Sequence, residues 1–506
     1  MSSDDAWSTP SNDALFLSLV SPTATGVKTV GHSFNPKFTY PIFGDSEEIF
    51  GYQNLEINIR YNASDMRPNL SVSHTKKFAA VGETEATDIT GILHEFLPDV
   101  AFQKKSEFET AIKSLRADWT PPGELDTTFQ AAGGTFEIWK GTLADPAVKQ
   151  LIMRMQILVP LFIEGGTAID ADEVDAERWT VFFLYQKRTG TAADASTNPY
   201  VFAGYCTVYR FFHFRLPTPP QSPPSETDLE NATLAQDFDL AQLPCRTRIS
   251  QFLVLPLFQG RGLGPRLYNH IFAAYIAHPQ TVEITVEDPN EAFDDLRDIA
   301  DLQYLRGLPE FLALRIDTTL ALPRTGPAPA GIVDQAACDA VRARAKMAPR
   351  QFARVLEMQL MSRLPKAVRP GFAPPEEEGA GKGKGKGKVA KPTAEETHEY
   401  RLWRLLLKKR IYKHNRDALG ELEIPERIAK LDETVSSVEF DYARLLIRGE
   451  EQRKNAAADA EANRKVVAAA AVAAGENGTS TSANGKRKAE EDGEPSVSKK
   501  ARVEDE

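Results

Sequence analysis

Residues 252–272 read FLVLPLFQGRGLGPRLYNHIF, and the fold expected for the chain follows from this stretch. It opens with an apolar run, continues with three glycines within five residues, and ends with apolar residues at helical spacing. The next stretch, TVEITVEDP at residues 281–289, alternates as a β-strand does. The order strand, glycine turn, helix, strand predicts a turn whose backbone a ligand approaches closely, because glycine carries no side chain.

The glycine turn has the composition of a phosphate site. Gly260, Gly262 and Gly264 permit positive φ angles, so successive backbone N–H groups can point into one concavity at the start of the following helix. The helix N-terminus near Pro265 adds a partial positive charge, and Arg261 adds a full one. Such a turn alone is more often structural than a binding site. Its spacing fits neither GxxxxGK[ST] nor the GxGxxG of a dinucleotide-binding turn.

The composition limits the classes of protein to which this chain can belong. The 506 residues are 42% hydrophobic and 26% charged, which is enough for two or three globular domains. A formal net charge of -11 disfavours nonspecific binding to nucleic acid and favours a basic partner. The chain lacks the run of about 20 apolar residues that a membrane span needs, so no membrane partner is expected. The N-terminus carries no secretion signal.

The cysteines and histidines do not indicate a metal site. The three cysteines lie far apart without CxxC spacing, and the eight histidines form no HxxxH or HExxH pair. Cys206 and Cys245 have no neighbouring histidine that would lower a thiol pKa, so a cysteine nucleophile is disfavoured. We therefore expect no metal and no covalent cysteine route.

Changes in composition divide the chain into segments. Residues 216–240 are a proline-rich stretch, which we interpret as a surface insertion. The predicted segments are a flexible N-terminus (1–12), an N-terminal α/β domain (13–147), a central domain (148–300), a helical domain (301–370), a low-complexity glycine and lysine linker (371–393), a helical extension (394–465) and a disordered tail (466–506).

The tail carries the sequence KRKAEEDGEPSVSKKAR, in which ten residues separate Lys488 from Lys499. Two basic clusters at this spacing are typical of a bipartite nuclear import signal, and the alternative is a solvated tail. We expect the protein in the nucleus and the cytoplasm.

The glycine turn also has a second pattern, Gln-x-x-Gly-x-Gly at Gln259, Gly262 and Gly264. It resembles the pyrophosphate loop of the GCN5-related N-acetyltransferase superfamily. Further segments, in order along the chain, are similar to those of the type B histone acetyltransferase catalytic subunits, and the last of them carries most weight. These segments are LFIEGGTAID, ERWTVFFLYQK, GYCTVY, LVLPLFQGRGLG and ITVEDPNEAFDDLRD. The resemblance is dense over residues 150–300, weaker before them except at residues 44–61, and absent beyond about residue 370.

The resemblance implies a fold and a co-substrate. The fold class is α/β (α+β), with an N-terminal mixed domain, a central acetyltransferase domain built on a mixed sheet, a C-terminal helical region and a disordered tail. The co-substrate is acetyl-coenzyme A. Its diphosphate would lie on the glycine turn, and a backbone N–H of the preceding strand, with Val254 favoured, would bind the carbonyl oxygen. The implied binding residues are Phe252, Leu253, Val254, Gln259, Gly260, Arg261, Gly262, Leu263, Gly264 and Pro265.

Acetyl transfer to lysine needs a general base, because only about one lysine amine in 10³ is neutral at pH 7. Glu287 follows the alternating stretch at residues 281–286. A lone glutamate at such a strand end is usually only a solvent-exposed charge. The resemblance implies that Glu287 is the general base, and that Asp288 and Glu164 share the proton transfer or steer the lysine. Transfer would be direct, in a ternary complex.

The implied acceptor is the tail of free histone four, acetylated before chromatin assembly, and the implied partner is a WD-repeat histone-binding subunit. The groove for the basic tail would be formed by Asp45, Ser46, Glu47, Glu48, Trp179, Tyr209, Arg210 and Phe211. Two alternatives remain: an enzyme of the same fold that acts on a non-histone amine, and a histone-escort protein that binds acyl-coenzyme A without turnover.

Overall fold

The computed structural model describes residues 7–23, 26–170, 172, 174–188, 198–213, 243–322, 328–365, 367–369 and 391–476, with side chains through Lys454. The whole proline-rich insertion, most of the glycine and lysine linker and the whole predicted import signal lie outside these residues. Contacts divide the chain into a unit that ends at Leu446 and a second unit that begins at Ile447.

The N-terminal part contains a four-stranded sheet and two strand pairs. The strands are β1 (Ser8–Pro10), β2 (Leu15–Thr23), β3 (Gly26–Phe34), β4 (Glu48–Phe50), β5 (Tyr52–Gln53), β6 (Glu56–Asn62), β7 (Pro68–Ser73) and β8 (Lys76–Lys77). The sheet has the order β3-β2-β6-β7, in which β2 and β6 are parallel. The predicted flexible N-terminus includes strand β1, which is ordered because its backbone pairs with β4.

The central sheet has six strands in the order β14-β13-β12-β11-β10-β9. Its members are β9 (Glu124–Ala131), β10 (Gly134–Thr142), β11 (Trp179–Lys187), β12 (Tyr200–Phe212), β13 (Cys245–Val254) and β14 (Thr281–Val286). Only the β13–β14 pair is parallel. The predicted hairpin of β11 and β12 is confirmed. Two strands of this sheet precede residue 148, so the sheet begins before the boundary expected from the sequence.

The helices cover both faces of the central sheet and form the C-terminal part. They are α1 (Ser11–Ala14), α2 (Tyr40–Phe43), α3 (Ile89–His94), α4 (Lys105–Lys113), α5 (Pro146–Met155), α6 (Leu158–Phe162), α7 (Leu263–Ala277), α8 (Glu291–Arg306), α9 (Pro309–Ala313), α10 (Gln335–Arg344), α11 (Pro349–Arg363), α12 (Ala394–His414), α13 (Arg416–Gly420) and α14 (Ile424–Glu476). Helix α7 packs on one face of the sheet through contacts such as Phe182 with Tyr275.

One hydrophobic core extends from the N-terminal sheet to the C-terminal helices. Leu402, Trp403 and Leu407 of α12 are fully buried in it, and Trp403 donates from Nε1 to the carbonyl of Glu357 at 2.9 Å. Residues 394–446 are therefore part of the body of the first unit. The α/β fold class expected from the sequence is confirmed. No helix in the described part of the chain is long and apolar enough to cross a membrane.

Candidate active site

The two parallel strands of the central sheet separate at the site. Strand β13 pairs with β14 only as far as Ile249 and Val286, and it continues to Val254 alongside β12. The last contact is the backbone N–H of Glu287, which donates to the carbonyl of Ile249 at 2.9 Å. No described strand pairs with residues 250–254 on that side. Residues 252–254 therefore border the gap between β13 and β14. Their backbone N–H groups are the ones expected from the sequence to bind the carbonyl oxygen of the co-substrate.

The glycine turn continues from the far end of β13. Gly260 and Gly262 have φ angles of 74° and 72°, which favour glycine, and a Cβ added at either would meet no heavy atom within 4 Å. Gly262 precedes α7 without a side-chain cap, so N–H groups of the first turn of α7 have no side-chain partner there. An open turn at an uncapped helix N-terminus suits an anionic group such as a diphosphate.

Other residues of the turn fix its shape. Gln259 donates from Nε2 to the carbonyl of Val254 at 2.8 Å, which links the turn to the strand. A Cβ at Gly264 would lie 3.0 Å from Cδ1 of Leu296, so Gly264 permits close packing against α8. Leu263 is buried, and Pro265 lies in the first turn of α7. The Arg261 guanidinium lies 5.3 Å from the ring centre of Phe258.

Phe252 and Leu253 pack on the body of the protein. The ring of Phe252 lies 5.0 Å from that of Phe293 in α8, and Leu253 is buried. A Cβ at Gly204, on the neighbouring strand β12, would lie 2.4 Å from the carbonyl oxygen of Leu253. The close approach of β12 holds this part of β13 in place.

Glu287 lies in the turn after β14 with two partners on β13. Its Oε2 accepts a hydrogen bond from Oγ of Ser250 at 2.6 Å, and its Oε1 lies 3.4 Å from Nη1 of Arg248. The side chain is 44% exposed. The carboxylate is thus held in one orientation and still open to a substrate.

A β-bulge brings Gln251 to the same face of the sheet as Ser250. The register of β12 and β13 shifts between Cys206 and Val208, so Ser250 and Gln251 both lie opposite Thr207. Gln251 donates from Nε2 to the carbonyl of Thr167 at 2.8 Å, and its Oε1 accepts from Tyr205. The bulge therefore places two consecutive polar side chains at the site.

An aromatic surface lies beside Glu287. Trp179, Tyr209 and Arg248 are cross-strand neighbours and share one face of the sheet. The rings of Trp179 and Tyr209 lie 4.8 Å apart, those of Tyr209 and Phe211 lie 4.6 Å apart, and the Arg248 guanidinium lies 4.3 Å from the centre of Phe211. Three predicted groove residues, Trp179, Tyr209 and Phe211, are therefore brought next to Glu287.

Arg210 lies apart from this surface. Its side chain alternates with Tyr209 and Phe211 along β12, and it donates from Nη2 to the carbonyl of Glu177 at 3.0 Å. Arg210 lies close enough to His278 to affect its titration. Burial is the main cause of the lowered pKa of His278, and the positive charge of Arg210 is the second. The Arg210 side chain therefore lies on the opposite face of the sheet from Trp179, Tyr209 and Phe211.

Glu164 lies in the loop after α6, and its side chain is exposed. The bond from Gln251 to Thr167 ties this loop to the bulge next to Ser250. On its other side, the backbone N–H of Gly165 donates to the hydroxyl of Tyr40 at 3.3 Å. Asp288 follows Glu287 with a φ of 29° and an exposed side chain.

The four residues of the predicted acidic loop, 45–48, differ in how much the protein itself contacts them. Asp45 and Ser46 are exposed, and Glu48 accepts a hydrogen bond from Ser8. Glu47 instead accepts at Oε1 from the backbone N–H and hydroxyl of Thr39 and from the N–H of Tyr40, at 2.7, 2.9 and 3.1 Å. The hydrogen bond from the Thr39 backbone is the main cause of the lowered pKa of Glu47. Its carboxylate is occupied by the protein itself.

The described cysteines do not form a nucleophilic site. Cys206 is fully buried, and burial raises the pKa of its thiol well above the usual range. Such a thiol stays protonated and unreactive at neutral pH. Among the described residues, no group of three or more histidine, cysteine, aspartate or glutamate side chains is arranged to hold a metal ion.

Comparison with known proteins identifies the family. A family model described as "Histone acetyl transferase HAT1 N-terminus" matches residues 7–164. A Neurospora crassa protein named "Histone acetyltransferase type B catalytic subunit" is 52% identical over 100% of this chain and 99% of its own length. The chain belongs to the family of type B histone acetyltransferase catalytic subunits. The family resemblance and enzyme class expected from the sequence are thereby confirmed.

Other members of the type B catalytic subunit family are similar along most of their length. A relative from Pyricularia oryzae is 46% identical over 100% of both chains. A relative from Gibberella zeae is 51% identical over 87% of this chain and 90% of its own. The similarity to the Neurospora crassa and Pyricularia oryzae proteins includes the C-terminal part, in which no family pattern was recognised from the sequence.

Sequence analysis missed three polar residues of the site, Arg248, Ser250 and Gln251. Arg246, Arg248 and Ser250 alternate with buried residues on the strand that leads to the glycine turn, and this pattern was available in the sequence. The bulge that places both Ser250 and Gln251 at the site has no such signal, because it depends on the register with β12.

Proposed function

We propose that this member of the family transfers acetyl groups from acetyl-coenzyme A to lysines in the N-terminal tail of free, newly synthesised histone four, before chromatin assembly. The arrangement around β13 carries the proposal. The end of this strand leads into the open glycine turn, and its middle holds the Glu287 carboxylate. The names of the full-length relatives support histone as the substrate class and acetyl-coenzyme A as the co-substrate.

The glycine turn holds the diphosphate of the co-substrate. The N–H groups of residues 260–264 and the N-terminus of α7 supply the donors, and Arg261 adds positive charge. When bound, acetyl-coenzyme A supplies the acetyl thioester. A backbone N–H among residues 252–254, with Val254 favoured, donates to the thioester oxygen as negative charge develops there.

Glu287 acts as general base. It accepts the proton that the lysine ammonium must lose before its nitrogen can attack, either directly or through one water molecule. Asp288 and Glu164 are the other carboxylates proposed for this proton transfer or for steering the lysine. The neutral amine then attacks the acetyl carbon directly, the bond from that carbon to sulfur breaks, and coenzyme A leaves as a thiolate that takes up a proton. The burial and raised pKa of Cys206 support this direct route over a cysteine intermediate.

The aromatic surface and nearby acidic residues bind the basic tail. Trp179, Tyr209 and Phe211 offer ring faces to cationic and glycine-rich segments, and Asp45 and Glu48 supply negative charge. The word "subunit" in the names of the relatives supports a partner chain, and we propose a WD-repeat histone-binding protein. The tail beyond residue 476 would direct part of the protein to the nucleus.

One incubation distinguishes this proposal from its two alternatives. The purified chain is incubated with labelled acetyl-coenzyme A and each free core histone, and with a small-amine acceptor in parallel. We expect label in the N-terminal tail of histone four, at a rate well above that of the small amine. Binding of the labelled thioester without transfer would favour an escort protein, and preferential labelling of the small amine would favour a different acceptor.

A further inference from the structure

Two side chains of one strand hold the Glu287 carboxylate from different sides. Ser250 donates from Oγ to Oε2 at 2.6 Å, and Arg248 presents Nη1 to Oε1 at 3.4 Å. The guanidinium of Arg248 is itself supported by the ring of Phe211 at 4.3 Å. Both residues belong to β13, which also leads to the glycine turn, so the same rigid element connects Glu287 with the co-substrate site.

The local backbone is shaped to make this contact. Strands β13 and β14 stop pairing at Ile249 and Val286, one residue before Glu287. Ser250 lies on the same face as Arg248 and contacts Glu287, and the bulge opposite Thr207 puts Gln251 on that face too, where it holds the Glu164 loop. Bulges are frequent next to active sites, where they redirect a side chain. A regular strand would place Ser250 and Gln251 on opposite faces.

The charged groups around Glu287 come from three elements. Arg248 on β13 is the only cation with a described contact to its carboxylate. Asp288 is its neighbour in the turn after β14. Glu164 lies in the loop that Gln251 ties to the bulge. A hydrogen-bond donor and a cation both favour the ionised form of a carboxylate that they contact.

We propose that Ser250 and Arg248 are positioning residues that keep the Glu287 carboxylate ionised and oriented for proton transfer. The inference rests on the proposed role of Glu287 as general base. Ser250 fixes Oε2, and Arg248, which is stacked on Phe211, lies next to Oε1.

The first test is Ser250→Ala. We expect kcat on a histone-tail peptide to fall about tenfold at neutral pH, because a hydrogen bond to a charged group is lost. The acid limb of the pH–rate profile should move to higher pH, because the carboxylate binds a proton more readily without its donor. The KM for acetyl-coenzyme A should not change. Thr319→Ala is a matched control, since it removes a hydroxyl-to-carboxylate bond of 2.6 Å to Asp317.

The second test is Arg248→Ala, with Arg248→Lys beside it. Loss of the cation should move the acid limb to higher pH, and the lysine variant should restore most of the original profile. Arg344→Ala removes an exposed ion pair with Glu310 at 2.7 Å and serves as the control. Unchanged profiles in Ser250→Ala and Arg248→Ala, with Glu287→Gln impaired, would overturn the inference and leave the proposed base intact.

A double-mutant cycle separates this inference from the proposed function. If Ser250 acts through Glu287, Ser250→Ala should have no further effect on kcat in the Glu287→Gln background. An equal loss in both backgrounds would show that Ser250 acts elsewhere and would overturn the inference. Wild-type activity of Glu287→Gln alone would instead contradict the proposed base, and the inference would fail with it.

Discussion

Glu47 shows how one residue can differ from its expected role. The sequence put it in an acidic loop for the histone tail, but its carboxylate accepts three hydrogen bonds from Thr39 and Tyr40. Its φ of 50° is rarely adopted by a residue with a side chain, so the surrounding contacts hold it there. Tyr40 in turn accepts from Gly165, next to Glu164. Glu47 therefore stabilises the segment that supports the Glu164 loop.

We predict that Glu47→Ala lowers the free energy of unfolding by about 1–2 kcal/mol at pH 7, because Thr39 and Tyr40 lose their acceptor. The folded protein lowers the pKa of Glu47, so this stabilisation is present above the unfolded pKa near 4.5. It is lost as the pH falls through the lower, folded pKa. Thermal unfolding of both proteins between pH 3 and 7 measures the difference.

Asp45→Ala is the control for Glu47→Ala. Asp45 is an exposed neighbour, so its removal should leave stability unchanged and raise the KM for a histone-tail peptide. This increase in KM should shrink with added salt, because exposed charges are screened. Equal stability of the Glu47→Ala and wild-type proteins at pH 7 would contradict the structural role of Glu47.

At the scale of elements, the sequence predicted the strand, turn, helix and strand around the glycines correctly. Apolar alternation and helical spacing are local signals, so β13, α7 and β14 were accessible from the sequence. The separation of β13 from β14 and the bulge at Ser250 were not, because both depend on pairing with residues about 35–45 positions away. Sequence patterns indicate which residues face the core, but they do not indicate where the pairing of two strands ends.

The glycine turn gives a prediction with a close control. Gly262→Ala should cost about 1–2 kcal/mol of stability, because alanine at a φ of 72° is strained. It should also raise the KM for acetyl-coenzyme A, since the new Cβ projects into the proposed diphosphate concavity. Gly331→Ala introduces the same strain at a φ of 74° in equally open space. Co-substrate binding, measured by calorimetry, and Tm report the two effects.

The two glycine variants should lose similar stability and differ in binding. Weaker binding of acetyl-coenzyme A in Gly262→Ala alone would agree with the proposed site. Unchanged binding in Gly262→Ala, together with the expected loss of Tm, would show that the diphosphate does not approach this turn.

At the scale of the molecule, the C-terminal helices are joined to the catalytic part by one buried and one exposed set of polar contacts. Glu357 is buried, and its carboxylate accepts hydrogen bonds from Arg410 and Tyr442, at 2.9 Å each. Arg444 forms two hydrogen bonds with Asp295 in α8, the helix that follows the Glu287 turn. The sequence predicted helices here but not this docking, because the partners lie 53–149 residues apart.

We predict that a chain ending at residue 390 is strongly destabilised. Glu357 would lose the hydrogen bonds from Arg410 and Tyr442. The apolar side chains now covered by Trp403 and Leu407 would also be exposed. A chain ending at Glu476 keeps these contacts and is the control. Expression, Tm and activity of the two truncated chains measure the effect, and a fully stable shorter chain would contradict it.

The chain that ends at Glu476 also tests the proposed import signal. It lacks the basic clusters at residues 486–502 and should shift towards the cytoplasm while acetylating free histone at the wild-type rate. Fluorescence microscopy and an activity assay on the same protein give both results. Loss of most of the activity would show that the tail is part of the catalytic machinery.

The central claim is that Glu287 is the general base of acetyl transfer, and the pH–rate profile of Glu287→Gln tests it most directly. The variant keeps the size of the side chain and an acceptor for Ser250 but removes the basic group. We predict that kcat on a histone-tail peptide falls by about 10²–10⁴ at neutral pH, that the defect eases as the pH rises because more lysine is neutral, and that acetyl-coenzyme A still binds. An unchanged kcat and an unchanged profile would contradict the account and assign the base to Glu164 or Asp288.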